Sequence, residues 1–328
     1  MTGVPTAGAK SLDPCVSVLL QKLPPIDYGF AYGSGAFYQP GLYESGANSP
    51  SGVPAQPMLD FIFAVEHPVT WHRSNMAANP SHYSCLRLCG PRAANWTAHS
   101  LGAGLYYNTL VPIESRLVKY GVMSTSDLIA DLERWRWLYA AGRLHKPVAE
   151  LQPHAGVRRK RAQSLRAALG AARLTLPARF DTRELLTAVC ALSYRGDLRM
   201  GVAEDASKVQ RIVEGSRAGL EELYAPGLAW ARETGGLVAL GEEAWAQDCS
   251  PAATAELVSA LPSAVLARMP RSCTQADRPR AEIAAHLDRV LRGIVRASSL
   301  RQMAAGFLGA GACKSARYAA AKVAKALR

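Results

Sequence analysis

The chain has 328 residues, 49% of them hydrophobic, which is long for one domain and suits two domains and a tail with cores that need no disulfides. Its 38 Lys and Arg against 26 Asp and Glu leave a formal charge of +12, so the expected partner is anionic: a nucleotide, a nucleic acid or an acidic membrane surface. Seven irregularly spaced cysteines argue against a secreted disulfide framework, and no apolar run reaches the roughly 18 residues needed to cross a bilayer, so membrane contact is expected to be peripheral.

In chain order, residues 1–22 are poor in acids but carry only Lys10 and Lys22 as cations, a weak transit-peptide pattern with no secretory core. From Asp27 to Gly121, short β-like runs are broken by Gly, Pro and Asn: the strand around Asp60, Cys85–Leu88, Leu105–Val111 and Arg116–Met123. Ser126 reads as the N-cap of a helix carrying Leu128, Ile129, Leu132, Trp135, Leu138 and Tyr139, closed by Gly142. After Pro147 the composition turns to Ala, Leu and Arg, with helical windows near 158–172, 181–192, 205–222, 252–267 and 278–297. The basic run "VRRKRAQSLR" (157–166) reads as a solvated helix face or an anion-binding surface. In the last segment, Lys314, Arg317, Lys322, Lys325 and Arg328 fall within an arc of roughly 140° opposite an alanine-rich face, the pattern of a basic amphipathic helix on an anionic bilayer. The alternative is a terminal helix docked on the protein with its cations in water.

Asp60 stands alone in the apolar run "MLDFIFAV" and calls for compensation, because an unpaired carboxylate in a buried strand is costly. Upstream lies Gly33-Ser34-Gly35. A small-residue turn followed by a strand acid is a nucleotidyltransferase pattern: glycines admit triphosphate to backbone N–H groups, the serine adds a hydroxyl, and the carboxylate holds a divalent metal. The turn alone reads equally as a plain loop, the linker is long, and the second acid expected two residues on is Ile62. Other signatures fail. "GFAYGSG" lacks dinucleotide-fingerprint spacing, and "GAGACKS" (309–315) has Cys313 where a phosphate loop needs glycine. His67, His72, His82, Cys85 and Cys89 fit no tetrahedral zinc spacing, and no Gly-x-Ser-x-Gly elbow is present.

The ordered phrases "FAYGSGAFYQ", "MLDFIFAV", "HPVTWHRSN", "NPSHYS", "GAGLYYN", "LVKYGV", "AGRLHKPV", "LSYRGDLRM" and "SKVQRIV" together closely resemble the mitochondrial phosphatidate cytidylyltransferase family, also called the mitochondrial translocator assembly and maintenance proteins. The resemblance runs from about residue 26 to 215 and recurs weakly at "IVRASSLRQ" and the C-terminal helix. It implies an α+β chain: a nucleotidyltransferase domain with a mixed sheet (1–148), a helical, winged-helix-like domain (149–297) and a membrane-association segment (298–328). The implied reaction joins CTP and phosphatidic acid into CDP-diacylglycerol and pyrophosphate, with magnesium, at the matrix face of the inner mitochondrial membrane, feeding cardiolipin synthesis. Gly33, Ser34 and Gly35 would then cradle the triphosphate, Asp60 would bind Mg2+, and Lys119 would contact phosphate. His145, Lys146, Arg199 and Lys208 would line the nucleotide or lipid-phosphate side, and Glu114 or water could complete the metal shell. Anionic inner-membrane lipids are implied as a further partner, and no nucleic acid. Two other readings stand beside this one: a non-enzymatic maintenance factor for the inner-membrane protein translocase, and a nucleotidyltransferase acting on a non-lipid substrate.

Overall fold

The structure is a computed structural model that describes residues 14–37, 57–198, 207–274 and 278–326, with side chains up to residue 309. In chain order the elements are α1 (Pro14–Lys22), β1 (Tyr28–Tyr32), β2 (Leu59–Val65), α2 (Pro68–Ala78), α3 (Pro91–Trp96), β3 (Tyr106–Ile113), β4 (Arg116–Ser124) and α4 (Thr125–Arg134). There follow α5 (Ala141–Leu144), β5 (Ala149–Gln152), α6 (Ala155–Thr175), β6 (Arg179–Asp181), α7 (Thr182–Ala191), α8 (Lys208–Gly215) and α9 (Arg217–Glu233). The chain continues with β7 (Leu237–Ala239), β8 (Ala244–Gln247), α10 (Pro251–Ser259), α11 (Ser263–Leu266) and α12 (Arg280–Ala326).

The main sheet runs β3-β4-β2-β1-β5 and is mixed, since β2 and β4 are parallel and every other pair is antiparallel. Because side chains alternate across a strand, β2 sorts its residues between two cores. Leu59, Phe61, Phe63 and Val65 face a layer closed by α1 and Trp71, whereas Ile62 and Ala64 face the large core shared with the helices. Asp60 lies on this second face, at its edge, and is the side chain left 24% exposed. Ile62 is fully buried in that core, with Phe30 as its register partner on β1, so a carboxylate there would be desolvated.

Several expectations are corrected. Cys85–Cys89 forms a 3-10 helix, not a strand, and its exposed face carries both cysteines. The N-cap of α4 is Ser124, whose Oγ accepts from Asp127 N at 3.0 Å, not Ser126. That helix also stops at Arg134, with Trp135 and Leu138 at positive φ, because buried Asp131 accepts the N–H groups of Trp137, Leu138 and Ala141 and folds the chain back. The region after Pro147 holds strands as well as helices. β5 completes the main sheet beyond residue 148, and β6-β8-β7 forms a second, three-stranded sheet. α12 is one continuous helix across residues 297 and 298.

The helix α6 carries the basic run, and Arg158, Lys160 and Arg161 within it are tethered. Arg158 pairs with Glu150, Lys160 with Glu133 at 2.7 Å, and Arg161 donates to the carbonyls of Leu144 and Lys146 at 3.0 and 3.2 Å. Arg161 thereby clamps the segment between α5 and β5.

Candidate functional site

Strand β1 runs into the Gly33–Gly35 turn at the place where β2 begins, since Tyr32 is the register partner of Asp60. The two glycines serve different ends. Gly33 has φ of +78°, a left-handed conformation that a Cβ disfavours, and a Cβ on Gly35 would strike the Met58 carbonyl. The carbonyl of Gly33 accepts both Ala36 N–H and Phe37 N–H, at 3.1 and 2.9 Å, so the chain reverses tightly around Ser34. Successive N–H groups in such a reversal form a concavity suited to anions. The Oδ2 of Asp60 faces it, 4.0 Å from where a Gly33 Cβ would stand.

Across the parallel pair, Lys119 is the register partner of Asp60. Its Nζ donates to Asp60 Oδ1 at 3.1 Å and sits 4.4 Å above the Tyr107 ring. The compensation that Asp60 needs is thus a lysine from β4. From this pair a band of cations and aromatic rings continues toward the helices. The Tyr107 hydroxyl lies 3.3 Å from that of Tyr32, and the Arg143 guanidinium stacks 5.1 Å from the Tyr32 ring and 3.8 Å from that of Tyr139. Burial pushes the Tyr107 phenol well above its ordinary value, so the ring stays neutral between Lys119 and Arg143.

Farther on, Lys146 donates to the Gly142 carbonyl and to Ser193 Oγ at 2.9 Å. Its Nζ and that of Lys208 stand 5.0 and 5.5 Å from the one ring of Tyr194. Gly142 is required by this packing, because a Cβ there would overlap the Ser193 side chain. Burial pushes the Lys146 ammonium down to about 8, and the neighbouring charges of Arg143 and Lys208 act in the same direction. Like charges gathered this closely are a poor arrangement for a protein alone and a good one for a polyanion.

The structure therefore brings together Gly33, Ser34, Gly35, Asp60, Lys119, Lys146 and Lys208, and it adds Arg143, Tyr32, Tyr107 and Tyr194, which sequence reasoning did not single out. Arg143 lies inside the phrase "AGRLHKPV"; its stacking partners, distant in sequence, are what mark it. His145 is placed elsewhere. Its ring is fully buried against Trp135 at 5.2 Å, with Nε2 2.9 Å from Ser164 Oγ, and burial holds the imidazole well below its ordinary value and neutral. Such a ring supports the loop that carries Lys146, and the charges of Lys146 and Arg161 add to burial in keeping it neutral. Glu114 sits at the exposed β3–β4 turn, and Arg116 just beyond it is already three residues, about 10 Å, along β4 from Lys119. Arg199 and Arg328 lie outside the described residues, as do the side chains of Lys314, Arg317, Lys322 and Lys325.

The donor set fits one particular kind of metal site. Among the described residues no group of three or more His, Cys, Asp or Glu side chains converges. Asp60 is a single carboxylate beside the Gly33–Gly35 turn, and because Mg2+ commonly takes one or two carboxylates and completes its shell from substrate phosphates and water, one acid is compatible with that ion. His72 and His82, by contrast, are buried in a polar cluster, with ring nitrogens 2.8 Å from the hydroxyls of Tyr83 and Tyr120.

Comparison with known proteins is consistent along the whole chain. The family model described as phosphatidate cytidylyltransferase, mitochondrial, matches residues 16–325. Proteins of that name from Xenopus laevis and Danio rerio are 40% and 36% identical, over 92% and 91% of this chain and 91% and 90% of their own length. The Caenorhabditis elegans protein of that name is 34% identical over 95% of this chain and 97% of its own. With the turn, the strand acid and the cation band in one place, and matches of this extent, the chain belongs to the mitochondrial phosphatidate cytidylyltransferase family of nucleotidyltransferases.

Proposed function

We propose that the protein transfers the cytidylyl group of CTP to phosphatidic acid, giving CDP-diacylglycerol and pyrophosphate, with Mg2+ as cofactor. The observation that carries this reading is the placement of Asp60 and Lys119 beside the Gly33–Gly35 turn, at one end of a band formed by Arg143, Lys146 and Lys208. The mixed sheet with its turn-and-acid edge supports a nucleotidyltransferase fold for the first part of the chain. The β7–β8 hairpin beside β6 supports a winged-helix-like second part.

The chemistry follows from charge. A phosphate monoester has a second pKa of about 6, so the lipid phosphate is largely ionised near neutral pH and needs no strong general base. Its oxygen forms a bond to the α-phosphorus of CTP, the bond from that phosphorus to the β-phosphate oxygen breaks, and pyrophosphate leaves with the electron pair. The obstacle is the repulsion of two polyanions. Lys119, Arg143, Lys146 and Lys208 offset it with fixed charge on preorganised groups, which stabilises the transition state without reorganisation. Ser34 and the glycine backbone orient the triphosphate. Mg2+ held by Asp60 and the nucleotide's own phosphates would supply further charge neutralisation at the same end. Arg199, in the phrase "LSYRGDLRM", keeps only the role that the family resemblance implies, on the nucleotide or lipid-phosphate side.

Relatives named mitochondrial support a mitochondrial setting; a peripheral position on the matrix side of the inner membrane, with the product feeding cardiolipin synthesis, is part of the proposal. The deciding experiment supplies purified protein with labelled CTP, phosphatidic acid and Mg2+. Labelled CDP-lipid is expected, with Asp60→Ala reduced roughly 100-fold or more. Equal product from Asp60→Ala, or equal turnover of CTP without lipid, would overturn the assignment.

A further inference from the structure

The long helix α12 has two unlike faces. Inward it buries Ile294, Val295, Ser298, Ser299, Gln302, Ala305 and Gly309. Outward, at helical spacing, it exposes Arg289, Arg292 and Arg296, and then Leu300, Met303, Phe307 and Leu308. Phe307 is 62% exposed, and two further large apolar side chains stand out nearby: Leu88, 83% exposed beside the Cys85–Cys89 turn, and Trp96, 56% exposed at the end of α3. Hydrogen bonds fix these pieces to α12. Ser84 Oγ donates to the Gly309 carbonyl at 2.6 Å, and Arg301 donates to the carbonyls of His99, Ser100 and Gly102.

We propose that Leu88, Trp96 and the outer face of α12 from Leu300 to Leu308 form a membrane-insertion surface on the folded body, occupied by an anionic bilayer. This inference rests on the lipid-substrate reading above. Three observations select a bilayer. Exposed Arg87 adjoins Leu88 in the chain, and Arg92 and Arg296 stand one helical turn before Trp96 and Leu300, the arrangement of an interfacial surface with basic flanks. The stripe leads directly into the segment whose sequence places Lys314, Arg317, Lys322, Lys325 and Arg328 on one side of a helix. The helix that carries the stripe also packs on β3, the edge strand of the sheet that holds the site, with Gln302 Nε2 donating to the Leu105 carbonyl at 3.2 Å.

The test uses the full chain and two variants of exposed residues, Leu88→Ser with Phe307→Ser, and Trp96→Ser alone. Sedimentation with phosphatidylcholine vesicles containing cardiolipin is expected to show the double variant bound roughly tenfold or more weakly, with the melting temperature unchanged. On dispersed short-chain phosphatidic acid the same variant is expected to match the wild type. Unchanged vesicle binding in both variants overturns the proposal, as does a wild-type dimer that the double variant converts to monomer while vesicle binding persists. Weakened vesicle binding in a protein inactive on short-chain substrate would leave the membrane surface standing and remove the catalytic reading instead.

Discussion

Asp60 and Lys119 are register partners across the parallel strands β2 and β4, and their side chains meet at 3.1 Å with both largely withdrawn from solvent. Lys119→Met leaves Asp60 without its cation and removes a charge from the triphosphate end of the band, so kcat/KM is expected to fall by roughly 100-fold. A double-mutant cycle with Asp60→Asn separates the two roles. Thermal melts should show the double variant at least as stable as Lys119→Met alone, because the stranded carboxylate is gone. Additive losses in stability would mean that the pair is not coupled.

Ile62 is the position where a second metal-binding acid would stand, and it is fully buried in the shared core. Ile62→Asp is expected to destabilise the protein by several kcal/mol, on the order of 3–5, and to yield no gain in Mg2+ affinity. Calorimetric unfolding and a Mg2+ titration of activity check both halves; tighter Mg2+ binding at unchanged stability would contradict the single-carboxylate site.

Arg143 stacks between the Tyr32 and Tyr139 rings. A lysine has no planar face to stack, so Arg143→Lys is expected to raise the KM for CTP about tenfold with a smaller change in kcat, and Arg143→Gln to impair both. Steady-state kinetics decide it, and an unaltered KM in both variants would remove Arg143 from the nucleotide side.

Lys146 gives the site a pH dependence. Burial holds its ammonium down to about 8, so above that pH the free protein loses one of the charges that the proposed function assigns to the phosphates. A bound triphosphate favours the charged form. Binding should therefore take up protons near pH 8, and CTP affinity should fall as pH rises past it. Calorimetry in buffers of different ionisation enthalpy reads the uptake directly, and Lys146→Met should abolish it. The sign for stability is opposite. Because the folded value lies below the ordinary 10.5, the unfolded chain holds the proton more tightly, and this group adds stability as pH rises from about 8 to 10.5.

How much of this was legible in the sequence depends on the kind of signal each residue leaves. The turn and acid of Gly33–Gly35 and Asp60 are readable because glycine and a lone carboxylate are local anomalies in their surroundings. Arg143 was missed because nothing beside it in the chain is unusual; its meaning lies in Tyr32, over a hundred residues earlier. The burial of His145 was not legible, since a histidine next to Lys146 reads as part of a basic surface, whereas its ring turns inward to Ser164 at the end of α5. The strand expected at Cys85–Leu88 was displaced by Ser84 and Gly90, which cap a tight turn at either end. The second sheet went unseen because β6, β7 and β8 are three or four residues long, too short for alternation to register.

The pairing of Asp60 with Lys119 also bears on how the protein reaches its active form. Fifty-nine positions separate the two residues. Their meeting requires the intervening chain to close a large loop first, a slow kind of event in folding. Slipping β4 by one residue would place Val118 or Tyr120 beside Asp60 and send the lysine into the apolar layer on the far side of the sheet. A chain with β4 undocked therefore lacks the Asp60–Lys119 contact, and on the proposed reading the end of the site built on it, whatever the state of its helical half.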